Sequence, residues 1–416
     1  MIRRRTLLQA AAIAPLAACA SGTGPLRFWA MGREGEVVTE LLEDFHREQP
    51  GIAVQVEQLP WTAAHEKLLT AFAGNALPDI AQLGNTWVAE LGTLGALAPL
   101  DGFLTTAGSA VDRTDYFDGI WRTNVIDGQL LGLPWYVDTR LLFYRRDLLA
   151  RAGFSNPPRD WAEWRVQMTA LQGIGIAQPL ILPNNEFEPL LALALQQDEP
   201  LLKDGNTRGN FDSAGFRKAL DFYLGLIRDG FAPVESDQQI ANVWQEFGKG
   251  RFAFYISGPW NIGEFKKRMP ANLKDAWSTA PLPGPTGPGE STAGGSSLVV
   301  MKHSRRQADA FKLIDFLSRP AVQARFYALT GDLPPRKSAW AAIGADERTR
   351  AFADQLERVR PAPPVPEWER IVNEMQLRAA HAAAEGSTAA QAAREIDANV
   401  DRILAKRRWL HERGRA

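Results

Sequence analysis

Leu26-Arg27-Phe28-Trp29 opens residues 26–83 as a short apolar strand, and the elements after it set the fold class. Val37, Val38, Leu41, Leu42 and Phe45 recur at helical spacing, and Gln49-Pro50-Gly51 breaks that helix. Ile52-Ala53-Val54-Gln55-Val56 then alternates as a second strand. A further helix over His65 to Ala73 leads to a third strand at Asp79-Ile80-Ala81-Gln82-Leu83. Strands alternating with helices predict an α/β domain with a largely parallel sheet.

Outward from there, Gly132-Leu133-Pro134 precedes a strand at Leu141-Leu142-Phe143-Tyr144, and helix-rich sequence runs to about residue 250. Phe252-Ala253-Phe254-Tyr255-Ile256 reads as a buried strand, whereas Pro281 to Gly295 is dense in Pro and Gly and reads as a connection. Leu298-Val299-Val300 returns to strand, and a helix comes next with Ala308, Phe311, Ile314 and Leu317 on one face. Near the end, Thr388 and Gln391 have the spacing of a capping box.

The other end carries an address. Arg3-Arg4-Arg5, an apolar run from Leu7 to Leu16 and the small residues before Cys19 form a secretory signal, too short for a membrane span. Leu16-Ala17-Ala18-Cys19 resembles a bacterial lipobox, which makes residues 1–19 a lipoprotein signal and Cys19 the acylated residue; an ordinary signal with an incidental cysteine is the alternative. Arg4-Arg5-Thr6-Leu7-Leu8 also resembles a twin-arginine export signal. Cys19 is the only cysteine, so the mature chain forms no internal disulfide. Formal net charge is −1 over 416 residues, and the signal removes three positives. A mildly acidic protein argues against a nucleic-acid partner. Thirteen tryptophans are many for core filling, since each indole N–H needs a partner, so some are expected to line a ligand surface.

Six segments, in order, resemble the extracellular solute-binding proteins of ABC importers, in their maltose- and trehalose-type branch. They are Leu77-Pro78-Asp79-Ile80 with Asn85-Thr86-Trp87, Gly132-Leu133-Pro134-Trp135-Tyr136 running into Leu142 to Leu149, Gly250 to Phe254 with Ser257-Gly258-Pro259-Trp260, Pro281-Leu282-Pro283-Gly284, Gly294 to Val300, and Leu333-Pro334-Pro335-Arg336. The resemblance implies a periplasmic-binding-protein type of α/β fold: two lobes joined by a multi-crossing hinge, with the ligand cleft between them. Lobe 1 would comprise residues 26–137 plus 292–334, and lobe 2 residues 138–291 plus 335–416. Crossings would fall near Tyr136 to Arg140, Gly287 to Thr292 and Leu333 to Arg336.

A sugar presents apolar C–H faces and a hydroxyl rim, so its site needs a ring platform beside planar polar groups. At the family's positions Trp260 matches the stacking tryptophan, with a core role as the alternative. Tyr136 and Asp138 match a cleft aromatic and acid, although Asp138 could instead pair locally with Arg140. Asn85 and Trp87 lie just past a strand's carboxyl end, where α/β sheets present ligands; Asn85 could equally cap a turn. Gly294 and Gly295 would let backbone amides approach the ligand, or simply loosen a loop. Arg336 matches an arginine that reaches the ligand. Weaker candidates are Trp29, Arg33 and Glu34, and Asn185, Glu186 and Phe187; Trp61, Trp135 and Trp244 could frame the cleft or fill core.

Enzyme motifs are missing: there is no His-Glu-x-x-His, no Gly-x-Ser-x-Gly and no phosphate loop. The five histidines (46, 65, 303, 381 and 411) lack metal-ligand spacing. The expected protein is therefore not an enzyme and holds no metal or cofactor. It is a monomeric, lipid-anchored receptor at the periplasmic or extracellular face, which captures a di- or oligosaccharide and delivers it to an ABC permease. The alternative ligand is a phosphorylated polyol such as glycerol phosphate, for which Arg33, Arg140 and Arg336 would supply charge; a secreted glycoside hydrolase is the remote alternative.

Overall fold

A computed structural model describes residues 24–105, 108–235, 242–344 and 346–414. The expected signal 1–19, with Cys19 and the twin arginines, lies outside the described residues. Among the described residues, nine strands build the two main sheets: β1 (Leu26–Met31), β2 (Val54–Leu59), β3 (Ile80–Gly84), β4 (Leu133–Asp138), β5 (Leu141–Arg145), β6 (Leu180–Ile181), β7 (Phe254–Ser257), β8 (Trp277–Ala280) and β9 (Gly294–Val300). The first sheet has the order β2-β1-β3-β9-β4, and the second β8-β5-β7-β6. β2 and β3 run parallel to β1, while β9 lies antiparallel between β3 and β4.

Burial tracks the strand sequences. β1 and β3 are buried almost throughout, as strands covered on both faces must be, and Val37, Val38, Leu41, Leu42 and Phe45 of α1 (Gly32–Glu48) are buried with them. β2 is the edge strand and alternates. It starts two positions after Ile52 and runs to Leu59, because its register with β1 continues to the Met31–Leu59 pair. Pro60 then stops the ladder, having no N–H to give, and α2 begins at once (Trp61–Ala73), earlier than the expected His65. The capping box of Thr388 and Gln391 is present as expected.

The stretch 281–295 is more than a connection. Ser291 and Thr292 pair in parallel with Val359 and Arg360, and Gly294 and Gly295 already belong to β9. Between the two sheets the chain has little slack. β4 ends at Asp138 and β5 begins at Leu141, so Thr139 and Arg140 alone make that passage. Beside it, the Val137 N–H donates to the Leu333 carbonyl at 2.8 Å, which ties another segment to the same place. One apolar core lies under the first sheet, around Phe28, Trp135 and Phe316; a second gathers Trp164, Phe254 and Trp368. Trp135 belongs to the former, stacked on Phe326 with centroids 4.5 Å apart.

Candidate ligand-binding cleft

The cleft forms where strand ends of the first sheet face elements of the second. β3 stops at Gly84, and Asn85-Thr86 leads into α3 (Trp87–Thr93). Asn85 is 5% exposed. Its N–H donates to the Gly295 carbonyl at 3.1 Å, and its Oδ1 accepts from the Ser297 hydroxyl at 2.9 Å. The indole of Trp87 packs against Trp61 and His65, with centroids 5.6 and 5.0 Å away.

At the end of β4, Tyr136 donates its hydroxyl to Glu34 in the first turn of α1. Burial, reinforced by the Glu34 charge, holds the Tyr136 phenol well above its ordinary range. Asp332 stands in the same acidic setting: burial first, then Glu34 and Asp138, push its carboxyl up to about 7. Two positions beyond Tyr136, Asp138 receives Arg140 Nη1 on both oxygens, each at 2.9 Å. Arg140 Nη2 donates to Glu188 at 2.7 Å, at the start of α4 (Glu188–Leu195). Burial opposes the charge on Arg140, but Asp138 and Glu188 outweigh it and raise the guanidinium further. Burial also lifts Asp138 above the usual carboxylate range, against the pull of Arg140. Glu186 adds its field to Arg140 and to Tyr255.

Above this ion triad sits Trp260, the first residue of α5 (Trp260–Arg268), with Arg140 Cζ 4.7 Å from its ring centroid. Trp260 is 43% exposed, an unusual position for so large a ring. The ring lies against the backbone of Gly258, where a Cβ would stand 1.9 Å from ring carbon Cζ3, so any larger residue at 258 would push the ring from this position.

Asn85, Trp87, Asp138, Gly294 and Gly295 line one cavity of about 230 Å³, together with Thr86, Arg140, Glu188 and Trp368. A second cavity of about 300 Å³ shares Asn85, Thr86, Ala293 and Ala362 with it. Thr86 Oγ1 donates across to Glu369 at 2.5 Å, in the first turn of α6 (Trp368–Glu385). Three buried donors of this wall have no hydrogen-bond partner among the described residues: Asn85 Nδ2, Arg140 Nε and Trp368 Nε1. An unmade buried hydrogen bond costs about 1–3 kcal/mol, so each of these three donors would gain by meeting an acceptor oxygen.

Of the residues picked from the sequence, Tyr136 and Glu34 thus bond each other and are not among the cavity residues, Trp260 covers Arg140, and Glu186 acts on it through charge. Gly294 and Gly295 line the cavity and also serve the sheet: at φ +116°, Gly295 brings β9 so near β4 that a Cβ would meet the Tyr136 carbonyl at 2.3 Å. One expectation needs correction. Arg336 is not among the cavity residues. Its guanidinium is spent on Asp115 (2.7 Å) and on the carbonyls of Ala110 and Ser318 (2.8 and 3.0 Å). Trp244 likewise stands apart, bonded to Asn261 under Arg268. Sequence reading missed Thr86, Glu188, Trp368 and Glu369. Only Trp368 had a local signal, a tryptophan two positions after the proline-rich run 361–366. Among the described residues no His, Cys, Asp and Glu cluster could hold a metal, and no helix is long and apolar enough to cross a membrane.

Residues 31–324 match the family model of the bacterial extracellular solute-binding proteins. The fold superposes on the sugar-binding protein MalE of Xanthomonas citri with a TM-score of 0.91 and 52% identity, covering 94% of this chain and 99% of that one. The diacetylchitobiose binding protein DasA of Streptomyces coelicolor is 24% identical over 373 residues, 88% of this chain and 86% of its own. A lipoprotein of Streptomyces antibioticus is 27% identical over 404 residues, 89% of this chain and 86% of its own.

Proposed function

Because this chain belongs to the bacterial extracellular solute-binding protein family, we propose that it is the sugar receptor of an ABC importer, taking a di- or oligosaccharide into the cleft between two lobes. The observation that carries this reading is the set of unpartnered donors on Asn85, Arg140 and Trp368 around a cavity lined by Trp87, with Trp260 packed on Arg140. Hydroxyl oxygens would satisfy those donors and the rings would take the C–H faces. The likeness to the sugar-binding protein of Xanthomonas citri supports the same class of ligand. In this reading the lobes divide as 26–137 plus 292–334 and 138–291 plus 335–416, and they meet at the two-residue passage through Thr139 and Arg140. Trp260, Tyr136, Asp138, Asn85, Trp87, Glu34 and Glu186 face or border the ligand. The receptor works without catalysis, as a monomer anchored through Cys19 outside the inner membrane, and hands its sugar to the permease. The likeness to a Streptomyces antibioticus lipoprotein supports the anchor.

A phosphorylated polyol fits less well. Each arginine that could serve it is already committed: Arg33 to Glu36, Arg140 to Asp138 and Glu188, and Arg336 to Asp115. Thermal unfolding with maltose, trehalose, maltotriose and glycerol 3-phosphate tests the reading. A neutral sugar at a hundred times its dissociation constant should add about 2.7 kcal/mol, while the phosphate should add nothing. A shift with glycerol 3-phosphate alone would reverse the assignment.

A further inference from the structure

The cations that line the cavity are Arg140 and Arg360, and each is held by two carboxylates. Asp138 and Glu188 take Arg140; Glu290 and Asp198 take Arg360. Glu34 adds further negative charge beside Tyr136. The side chain of Arg140 is only 8% exposed, both of its terminal nitrogens are engaged, and its plane lies against the ring of Trp260. What remains is Nε, a single unpartnered donor shielded from solvent on a residue that lines the cavity. Phosphates and carboxylates are recognised by paired, charge-assisted bonds from the guanidinium fork. Here that fork is occupied, and an anion would also meet the carboxylates of Asp138 and Glu188. One N–H suffices for a neutral hydroxyl or ring oxygen.

We propose that Arg140 is a positioning and selectivity residue: it holds Trp260 over the cleft and offers the ligand one neutral-type hydrogen bond, while its two carboxylate partners turn anionic sugars away. This rests on the carbohydrate reading for its ligand, but the seating of Trp260 does not. Neither the charge filter nor the seat of the ring comes from exposure alone, since a guanidinium in the same place with an open fork would attract phosphates.

The protein labelled with 5-fluorotryptophan provides the ligand-independent arm. Its Trp260 fluorine resonance is assigned by Trp260→Phe, and it should move by more than a linewidth in Arg140→Met and in Arg140→Lys. Calorimetric titration provides the second arm, with trehalose and trehalose 6-phosphate, or maltose and maltose 1-phosphate. The parent protein should bind the neutral member at least a hundredfold more tightly. Arg140→Met should weaken neutral binding tenfold or more, and Glu188→Gln should narrow the neutral-to-phosphate ratio tenfold or more. Arg140→Lys, which keeps the charge without the fork, serves if the methionine variant does not fold. An unmoved Trp260 resonance in a folded variant, or an unchanged ratio in Glu188→Gln, overturns the proposal. If no neutral sugar binds the parent protein, the carbohydrate reading and the charge filter both fall, while the fluorine spectrum still decides whether Arg140 seats Trp260.

Discussion

Two buried arginines divide the labour in this molecule, and they differ in what they leave unbonded. Arg336 donates to Asp115 and to two backbone carbonyls, in a setting where Asp115 is only 14% exposed. Arg140 gives its fork to acids that are 25% and 26% exposed, keeps Nε without a partner and lies against a half-open ring. A charge that leaves no buried donor without a partner is a strut. One that keeps a buried donor on a cavity wall is part of a site. Arginine content near a hinge says nothing about which is which; the bonds each one makes do.

The largest expected effect tests the strut. Arg336→Met leaves Asp115 with only its two bonds from Ser338 and frees two carbonyls, and loss of one member of a buried pair costs about 3–5 kcal/mol. Chemical denaturation should show that loss, whereas Arg140→Met should lose about 1–2 kcal/mol, because water can reach the acids it abandons. Equal losses would erase the distinction between the two arginines.

Asp332 sharpens it from the acid side. Its carboxyl is pushed up to about 7 by burial and by Glu34. The folded state therefore holds a proton that the unfolded chain, with a carboxyl near ~3.9, has released. Stability contributed by this group must fall as pH rises from about 4 to 7. Asp332→Asn should remove that slope, so the variant melts several degrees higher than the parent at pH 8 and about equally at pH 4. A variant that melts lower at pH 8 would mean the carboxylate is compensated after all.

Trp260 comes next. Trp260→Ala should weaken binding of the best neutral sugar by tens-fold, about 2 kcal/mol, and leave the melting temperature within a few degrees, since the ring is 43% exposed. Unchanged affinity by calorimetry would leave Arg140 without a ring to position for binding.

The frame of this fold was legible because burial writes itself as periodicity. The strands around Phe28 and Leu83 and the helix through Val37 to Phe45 could be read from one face of apolar residues. Edges were less legible: register with β1, not propensity, set where β2 ends. The site was half legible. Asn85, Trp87 and Asp138 stand at strand ends, where a local pattern marks them. Glu188, Trp368 and Glu369 are contributed by helices far along the chain, and the pairing of two short segments, Ser291-Thr292 with Val359-Arg360, helps bring the last two near. Arg336 misled because a motif position fixes the residue but not the direction of its fork.

The smallest expected effect concerns a single bond that spans the cleft. Thr86 lies just past β3 in the first sheet, and Glu369 opens α6, 283 residues away in sequence. Glu369 is well placed electrostatically, since an acid in a first helical turn faces the positive end of the helix. Its field also raises the His65 imidazole, behind the hydrogen bond that the imidazole donates to Glu90, which dominates that shift, with Glu66 contributing too. The bond therefore favours the arrangement in which Thr86 and α6 touch. Thr86→Val removes the donor while keeping the shape, and the loss should be about 1 kcal/mol of that arrangement. Small-angle scattering of the ligand-free variant should show a larger radius of gyration than the parent, with sugar restoring the parent value. Because His65 is raised, its positive charge is complete at low pH and lost as pH rises through its folded value. At low pH that charge still draws Glu369 in the variant, so the difference between variant and parent should be smaller near pH 5 and greatest at pH 8. A radius unchanged at both values would mean that Thr86 and Glu369 merely meet, and that the walls of the cavity hold the cleft without them.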